Sequence, residues 1–303
     1  MANSQGSDLG RLLTAMVTPM DEQGRIDWGQ VKKLAKGLIE SGNDGVVVCG
    51  TTGENPTLTN EEKLRMWAET KAAIGKKGKV VANTGNYNTH ESIELTKQAE
   101  EVGVDGLLLT VPYYNKPPQE GIYQHFKAIA GSTHLPCMMY NIPGRASVNM
   151  SVETTVRCSQ IDNIVGVKEA SGNMEQIARI IDGSRDGFKV WSGNDGETYP
   201  IMALGGYGIV SVIGNLFGRQ MKRLVELTAS GKMREAQAEH LRLMPIGIGF
   251  CSVSTNPIPI KYAMNKAGFR VGKPRLPLVE PDAKAAAVID KWLEEYRVDL
   301  AVG

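Results

Sequence analysis

Short apolar runs punctuate the chain at positions 12–17, 45–49, 79–84, 106–111, 136–141, 164–169, 189–192 and 208–212. Their spacing is about 30 residues at first and later nearer 25, the size of one strand–helix unit. Each run is continuous and not alternating, as expected for parallel strands covered on both faces. Polar-apolar helical stretches lie between them, and three open with helix-start signals: Thr59-Asn60-Glu61-Glu62, Thr89-His90-Glu91 and Ser151-Val152-Glu153. In each, a capping residue precedes acids that suit a helix N-terminus. Glycines mark the helix-to-strand junctions, as in Gly42-Asn43-Asp44-Gly45, Gly103-Val104-Asp105-Gly106 and Gly205-Gly206-Tyr207-Gly208. The pattern predicts a (β/α)8 TIM barrel, with a doubly wound open sheet as the alternative. Beyond residue 220 the strands cease, and 219–231, 233–244, 259–267 and 282–296 read as helices. The expected organisation is a catalytic barrel over 8–225 followed by a C-terminal helical region over 226–303.

Composition narrows the classes. The 303 residues carry 34 Lys+Arg against 33 Asp+Glu, a net charge of +1, which argues against nucleic acid as the partner. No apolar run reaches the roughly 20 residues of a membrane span. The polar start, Met-Ala-Asn-Ser-Gln-Gly-Ser-Asp, lacks the order of a signal peptide. Cys49, Cys137, Cys158 and Cys251 are too scattered for a zinc or redox motif and read as reduced thiols. A cytoplasmic protein is expected. Glycine, with 34 residues, is in excess and has no repeat that explains it, so these residues are expected at turns and close approaches.

In a barrel of this kind the chemistry sits where the strands end. The residues there are Thr18-Pro19, Gly50-Thr51-Thr52-Gly53-Glu54, Gly85-Asn86, Pro112-Tyr113-Tyr114-Asn115, Tyr140-Asn141, Lys168-Glu169, Ser192-Gly193-Asn194-Asp195 and Ile213-Gly214-Asn215. Hydroxyls and amides dominate, with one lysine and no histidine, which disfavours metal hydrolysis and a paired-carboxylate glycosidase. Lys168 ends an apolar strand, where desolvation lowers an amine's pKa and makes it a nucleophile. The competing reading is a structural lysine paired with Glu169 or a lysine at the rim, although Glu169 should point to the other face of the strand. Tyr140 could relay protons or simply cap the core edge. Thr51-Thr52 could be a carboxylate-binding nest or an ordinary turn. Arg145 could grip a carboxylate or be solvated.

Together these motifs resemble the dihydrodipicolinate synthase family, within the N-acetylneuraminate lyase superfamily of class I aldolase barrels. The resemblance spans Thr14-Ala15-Met16-Val17-Thr18-Pro19, Gly50-Thr51-Thr52-Gly53-Glu54, Pro112-Tyr113-Tyr114-Asn115-Lys116-Pro117, Tyr140-Asn141-Ile142-Pro143-Gly144-Arg145, Gly166-Val167-Lys168-Glu169-Ala170 and Ser192-Gly193-Asn194-Asp195. It implies that Lys168 forms a Schiff base with pyruvate and that the enamine condenses with L-aspartate 4-semialdehyde, the first committed step of lysine and diaminopimelate biosynthesis. It further implies a proton relay of Tyr140, Thr52 and Tyr114, with Tyr114 supplied across a subunit interface. Thr51 and Thr52 would hold the pyruvate carboxylate, Arg145 the semialdehyde carboxylate, and Gly193 and Val210 would line the cavity by backbone. No metal or organic cofactor is implied, and a homotetramer built as a dimer of dimers is. Sialic-acid lyases and sugar-acid aldolases of the superfamily usually lack the arginine, and many carry Ser in place of Thr51. One departure is Ala146-Ser147 after the arginine, where the family often has Thr-Gly.

A second departure concerns regulation. Lysine-inhibited enterobacterial members carry Ser, Ala, two His and an Asn beside a Glu and a Tyr in their allosteric pocket. The matching positions here are Asn55, Pro56, Asn60, Lys63 and Tyr87, with Glu91 and Tyr113 retained. The resemblance therefore implies weak or absent inhibition by lysine. Three other readings stay open: another Schiff-base pyruvate aldolase or hydratase, a non-catalytic barrel that binds small anions, and a phosphate-binding isomerase using Gly193 and Gly214.

Overall fold

A computed structural model describes residues 8–301. The polar N-terminal stretch lies almost wholly outside the described residues. Strands and helices alternate: β1 (Leu12–Ala15), α1 (Trp28–Glu40), β2 (Gly45–Val48), α2 (Asn60–Ile74), β3 (Lys79–Asn83), α3 (Thr89–Val102), β4 (Gly106–Thr110), α4 (Gln119–Ala130) and β5 (Cys137–Asn141). The second half continues with α5 (Pro143–Ala146), α6 (Val152–Ser159), β6 (Ile164–Glu169), α7 (Met174–Gly183), β7 (Lys189–Ser192), α8 (Thr198–Ala203), β8 (Gly208–Ser211) and α9 (Gly214–Ala229). Three further helices complete the chain: α10 (Met233–Ser252), α11 (Ile258–Lys266) and α12 (Ala283–Glu295). All strand pairs are parallel, and β1 pairs with both β2 and β8, so the sheet closes on itself. The open-sheet alternative is excluded.

The apolar runs are continuous because both faces of the wall are covered. Leu13, Val47, Val81, Leu108, Met138, Trp191 and Val210 fill the barrel interior, while Leu12, Val46, Val80, Leu107, Met139, Val190 and Ile209 pack outward under the helices. Thr59 caps α2 with a full capping box, and Ser151 caps α6, as the start signals predict. The α3 cap is Asn88, one residue before the expected Thr89, because its side chain accepts from both His90 and Glu91 backbone N–H groups. Gly42, Gly103 and Gly205 take positive φ at helix ends.

The boundary expected at 225 falls within α9, the helix of the eighth βα unit. One expectation about the helices that follow is corrected. Helix α10, expected to stop at Met244, runs through Pro245 to Ser252. A proline in a helix interior costs about 3 kcal/mol through its missing N–H and ring clash. Here the affected carbonyl belongs to exposed Leu241, while Ile246, Gly247, Gly249 and Phe250 keep the following turns buried. No described helix is long and apolar enough to cross a membrane.

Candidate active site

The decisive local feature lies between β5 and β6. Their register shifts opposite Cys137 and Met138, after which Met138 faces Gly166 and Tyr140 faces Lys168. Such an irregularity re-aims the residues that follow it. Met138 and Tyr140 point into the barrel, so Lys168 joins them at its mouth and Glu169 turns outward. Gly166 is required beneath, because a Cβ there would meet the Lys189 carbonyl and the ring of Trp191. Trp191 itself is anchored toward the other end of the barrel, where its Nε1 donates to the Gly10 carbonyl at 2.9 Å.

Lys168 is 6% exposed and its Nζ lies 4.0 Å from the centroid of the Tyr140 ring. Burial pulls the ammonium down from 10.5 to about 8, with Asp195 and Cys251 opposing the fall and Arg145 adding to it. Glu169 is no partner for it. That carboxylate accepts from Asn141 Nδ2 at 3.1 Å on each oxygen and from the Ser171 backbone N–H at 2.7 Å. Lys168 makes no ion pair among the described residues, which argues against the reading that pairs it with Glu169. Burial pushes the Tyr140 phenol well above its usual range, while the Arg145 guanidinium and the Thr51 hydroxyl pull it back. At neutral pH it is therefore an un-ionised phenol, able both to donate and to accept a hydrogen bond.

A cavity of about 400 Å³ opens over Lys168. Thr51, Thr52, Tyr140, Arg145, Gly193 and Lys168 all line it, so one chain brings together six of the residues singled out in the sequence. The Thr51-Thr52 turn is held tightly: Thr18 Oγ1 donates to the Gly53 carbonyl at 2.6 Å, and Glu54 sits at φ 61° with its carboxylate on Lys261 Nζ at 2.8 Å. Arg145 stands on the one-turn helix α5 and donates through Nη2 to the Asn256 carbonyl at 3.3 Å.

Two expected residues are elsewhere. Val210 faces the barrel interior in the packed layer below, opposite Leu13, and Val212 is the residue after β8 that lines the cavity. Two residues of strand rise separate these levels. Tyr114 is 88% exposed, at φ 71° in the loop after β4, and does not line the Lys168 cavity within this chain.

Three contributors come from beyond the expected barrel: Cys251, Thr255 and Asn256, on the end of α10 and the turn into α11. Asp195 is also central. Wholly enclosed, it accepts from Ser211 Oγ and from the backbone N–H groups of Val212 (2.9 Å) and Ile213 (3.2 Å), and its charge acts on Lys168. Burial raises its carboxyl, and those hydrogen bonds oppose the rise.

A smaller cavity of about 190 Å³ adjoins the first across Thr51 and Arg145, lined also by Asn55, Pro56, Asn83, Thr110 and Tyr113. Beside it the Tyr87 and Tyr113 rings meet edge-on at 5.1 Å. Lys63 is buried below; desolvation pulls its ammonium down, and Cys49 and Glu91 counteract that. Asn60 begins α2 and is half-buried.

Residues 8–296 match the model of the dihydrodipicolinate synthetase family. The chain belongs to that family. A 4-hydroxy-tetrahydrodipicolinate synthase of Dehalococcoides mccartyi is 52% identical over 295 residues, covering 97% of this chain and 99% of the relative. Among solved structures, a dihydrodipicolinate synthase of Bacillus anthracis superposes with a TM-score of 0.92 at 45% identity, covering 95% of this chain and 99% of that one. A family member from Cyanidioschyzon merolae, solved with lysine bound, has a TM-score of 0.91 at 42% identity, covering 93% and 96%. The family members align along nearly their whole length, so barrel and helical tail are shared alike.

Proposed function

We propose that the protein is a 4-hydroxy-tetrahydrodipicolinate synthase, a lyase that condenses pyruvate with L-aspartate 4-semialdehyde and so opens lysine and diaminopimelate biosynthesis. The observation that carries this reading is a buried amine, brought to about 8 by that burial, that shares one cavity with a phenol, the Thr51-Thr52 turn and an arginine. Lys168 Nζ adds to C2 of pyruvate, and water leaves to give the iminium. Loss of a C3 proton yields the enamine, whose C3 attacks the aldehyde carbon as the aldehyde oxygen takes up a proton. The amino nitrogen of the second substrate then adds to the iminium carbon and expels Lys168 as the free amine, closing the ring. One water is lost overall, and nothing is oxidised or reduced.

Tyr140 carries the protons of these steps, passing them along the Thr52 hydroxyl. Thr51 and Thr52 hold the pyruvate carboxylate, Arg145 takes the semialdehyde carboxylate, and Gly193 borders the reacting carbon by its backbone. Tyr114 completes the relay from a second subunit, in a homotetramer built as a dimer of dimers in the cytoplasm. Its exposure in the single chain fits that role. The test of the reaction is borohydride reduction with pyruvate, followed by peptide mapping. One reduced pyruvyl group on Lys168 is expected, and an unlabelled Lys168 rejects the Schiff base.

The interfacial role of Tyr114 has its own test. Tyr114→Phe and Lys168→Met proteins, each nearly inactive, should regain activity when unfolded together and refolded as mixed oligomers. No recovery would place Tyr114 outside the relay.

Inhibition by lysine is expected to be weak or absent. An incoming ammonium would meet Lys63, whose own ammonium already lies within the field of Glu91. Titrating lysine against initial rates checks this, and clear inhibition below millimolar concentration contradicts it.

A further inference from the structure

Asn256 touches both halves of the cavity from outside the barrel. Its Nδ2 donates to Thr52 Oγ1 at 2.9 Å, and its main-chain oxygen accepts from Arg145 Nη2 at 3.3 Å. The residue is 6% exposed and lines the cavity that holds Lys168. Its Oδ1 has no hydrogen-bond partner among the described residues. A buried amide oxygen without a donor loses its hydration with nothing in return, and buried polar atoms are as a rule paired. This one sits where the nest for the keto acid meets the arginine for the second carboxylate. An acceptor left open at that seam suits a donor that arrives with substrate.

The inference rests on the proposed reaction. There, the second substrate carries an α-ammonium next to the carboxylate taken by Arg145, whereas pyruvate brings no donor. We propose that Asn256 Oδ1 accepts a hydrogen bond from the α-ammonium of the aldehyde substrate, so that Asn256 selects amino-acid aldehydes over aldehydes bearing a carboxylate alone. A site built around a polar contact discriminates strongly against the analogue that lacks the matching group, because the protein atom is then left buried and unpaired. Once the ammonium has given up a proton, a remaining N–H can keep the contact while the nitrogen lone pair attacks the iminium carbon to close the ring.

The experiment compares L-aspartate 4-semialdehyde with succinate semialdehyde, which has the same aldehyde and carboxylate but no amine. The quantity read is the ratio of kcat/KM for the two, or the inhibition constant of the second where it is not turned over. Asn256→Ala should lower the preference for the amino aldehyde at least about tenfold, the size of a lost hydrogen bond to a charged group. Asn256→Asp, which keeps an acceptor, should hold the preference within about threefold on the same basis. Loss of the Nδ2 contact with Thr52 slows both substrates alike and cancels in the ratio. Asn256→Leu, similar in size and without an acceptor, carries the same expectation if the alanine protein does not fold. An unchanged preference in the alanine or leucine protein overturns the inference, as does equal loss in the aspartate protein. A wild-type protein that fails to condense aspartate semialdehyde overturns the proposed function itself, a result distinct from normal turnover with an unchanged ratio.

Discussion

Lys168→Met is expected to lose at least about a thousandfold in kcat/KM, the scale seen when a covalent nucleophile is removed, and to take up no pyruvyl group under borohydride. The same protein should be more stable than wild type at pH 7. Lys168 falls from 10.5 unfolded to about 8 folded because burial disfavours the charged form. Between those values the unfolded chain binds more protons than the folded one, so wild-type stability rises as pH increases from about 8 to 10.5. Below pH 8 the full cost of the buried ammonium is present, on the order of 3 kcal/mol. Methionine fills a similar volume without charge, so its advantage in denaturant unfolding should be largest at pH 7 and shrink toward pH 10. A mutant less stable than wild type at pH 7 would mean that Asp195 and the cavity polar groups stabilise the ammonium more than burial penalises it. The activity profile shares the cause: capture of pyruvate needs the free amine, so kcat/KM for pyruvate should climb with pH until about 8.

That coupling of stability to chemistry also explains why the site could be read from the chain to the extent it was. Lys168, Tyr140 and the Thr51-Thr52 turn end apolar runs, and in a closed barrel the strand ends converge whatever the details of the helices. Pattern alone therefore brought them to one mouth. The level of a residue along the barrel axis is another matter. Val210 and Val212 both belong to the same apolar run, and only the stagger of β8 against β1 decides which one reaches the cavity. The irregularity between β5 and β6 leaves no mark in composition, yet it turns Lys168 inward. Asp195 was visible as a strand-end residue, but its role depends on backbone donors at 212 and 213 that no side-chain pattern reports. Asn256 was hidden for a different reason. It precedes a proline in what reads as a plain turn between helices, and its partner Thr52 lies some two hundred positions away in the chain. Contacts between a tail and a barrel mouth are set by how the tail folds back, which local sequence does not encode.

An enclosed ion pair joins the tail to the barrel mouth, and removing one partner of it should be the most costly single change to stability. Lys261 and Glu54 are both fully enclosed, with Nζ 2.8 Å from Oε1. Lys261 also donates to the carbonyls of Thr18 (3.1 Å) and Lys273 (2.9 Å), and Glu54 Oε2 accepts from the Arg275 backbone N–H at 2.7 Å. All three Nζ donors and both carboxylate oxygens thus have a partner, the condition under which a buried pair is tolerated. Lys261→Met leaves the Glu54 carboxyl enclosed with the Arg275 backbone N–H as its remaining donor, and strips two carbonyls of theirs. The expected loss is about 3–5 kcal/mol, read from urea unfolding at one fixed protein concentration. Replacing both partners, as Glu54→Leu with Lys261→Met, should recover most of it, since the penalty lies in the orphaned charge and less in the missing attraction. Function should separate the two proteins in another way. Glu54 closes the turn that carries Thr51 and Thr52, at a backbone φ of 61° that its own anchoring maintains. The double variant regains stability, but leucine at a left-handed position without that anchor should let the turn relax, so KM for pyruvate should stay raised. A Lys261→Met protein that unfolds within 1 kcal/mol of wild type, a margin typical of an exposed pair, would show that the apolar contacts of α11 alone hold the tail on the barrel mouth.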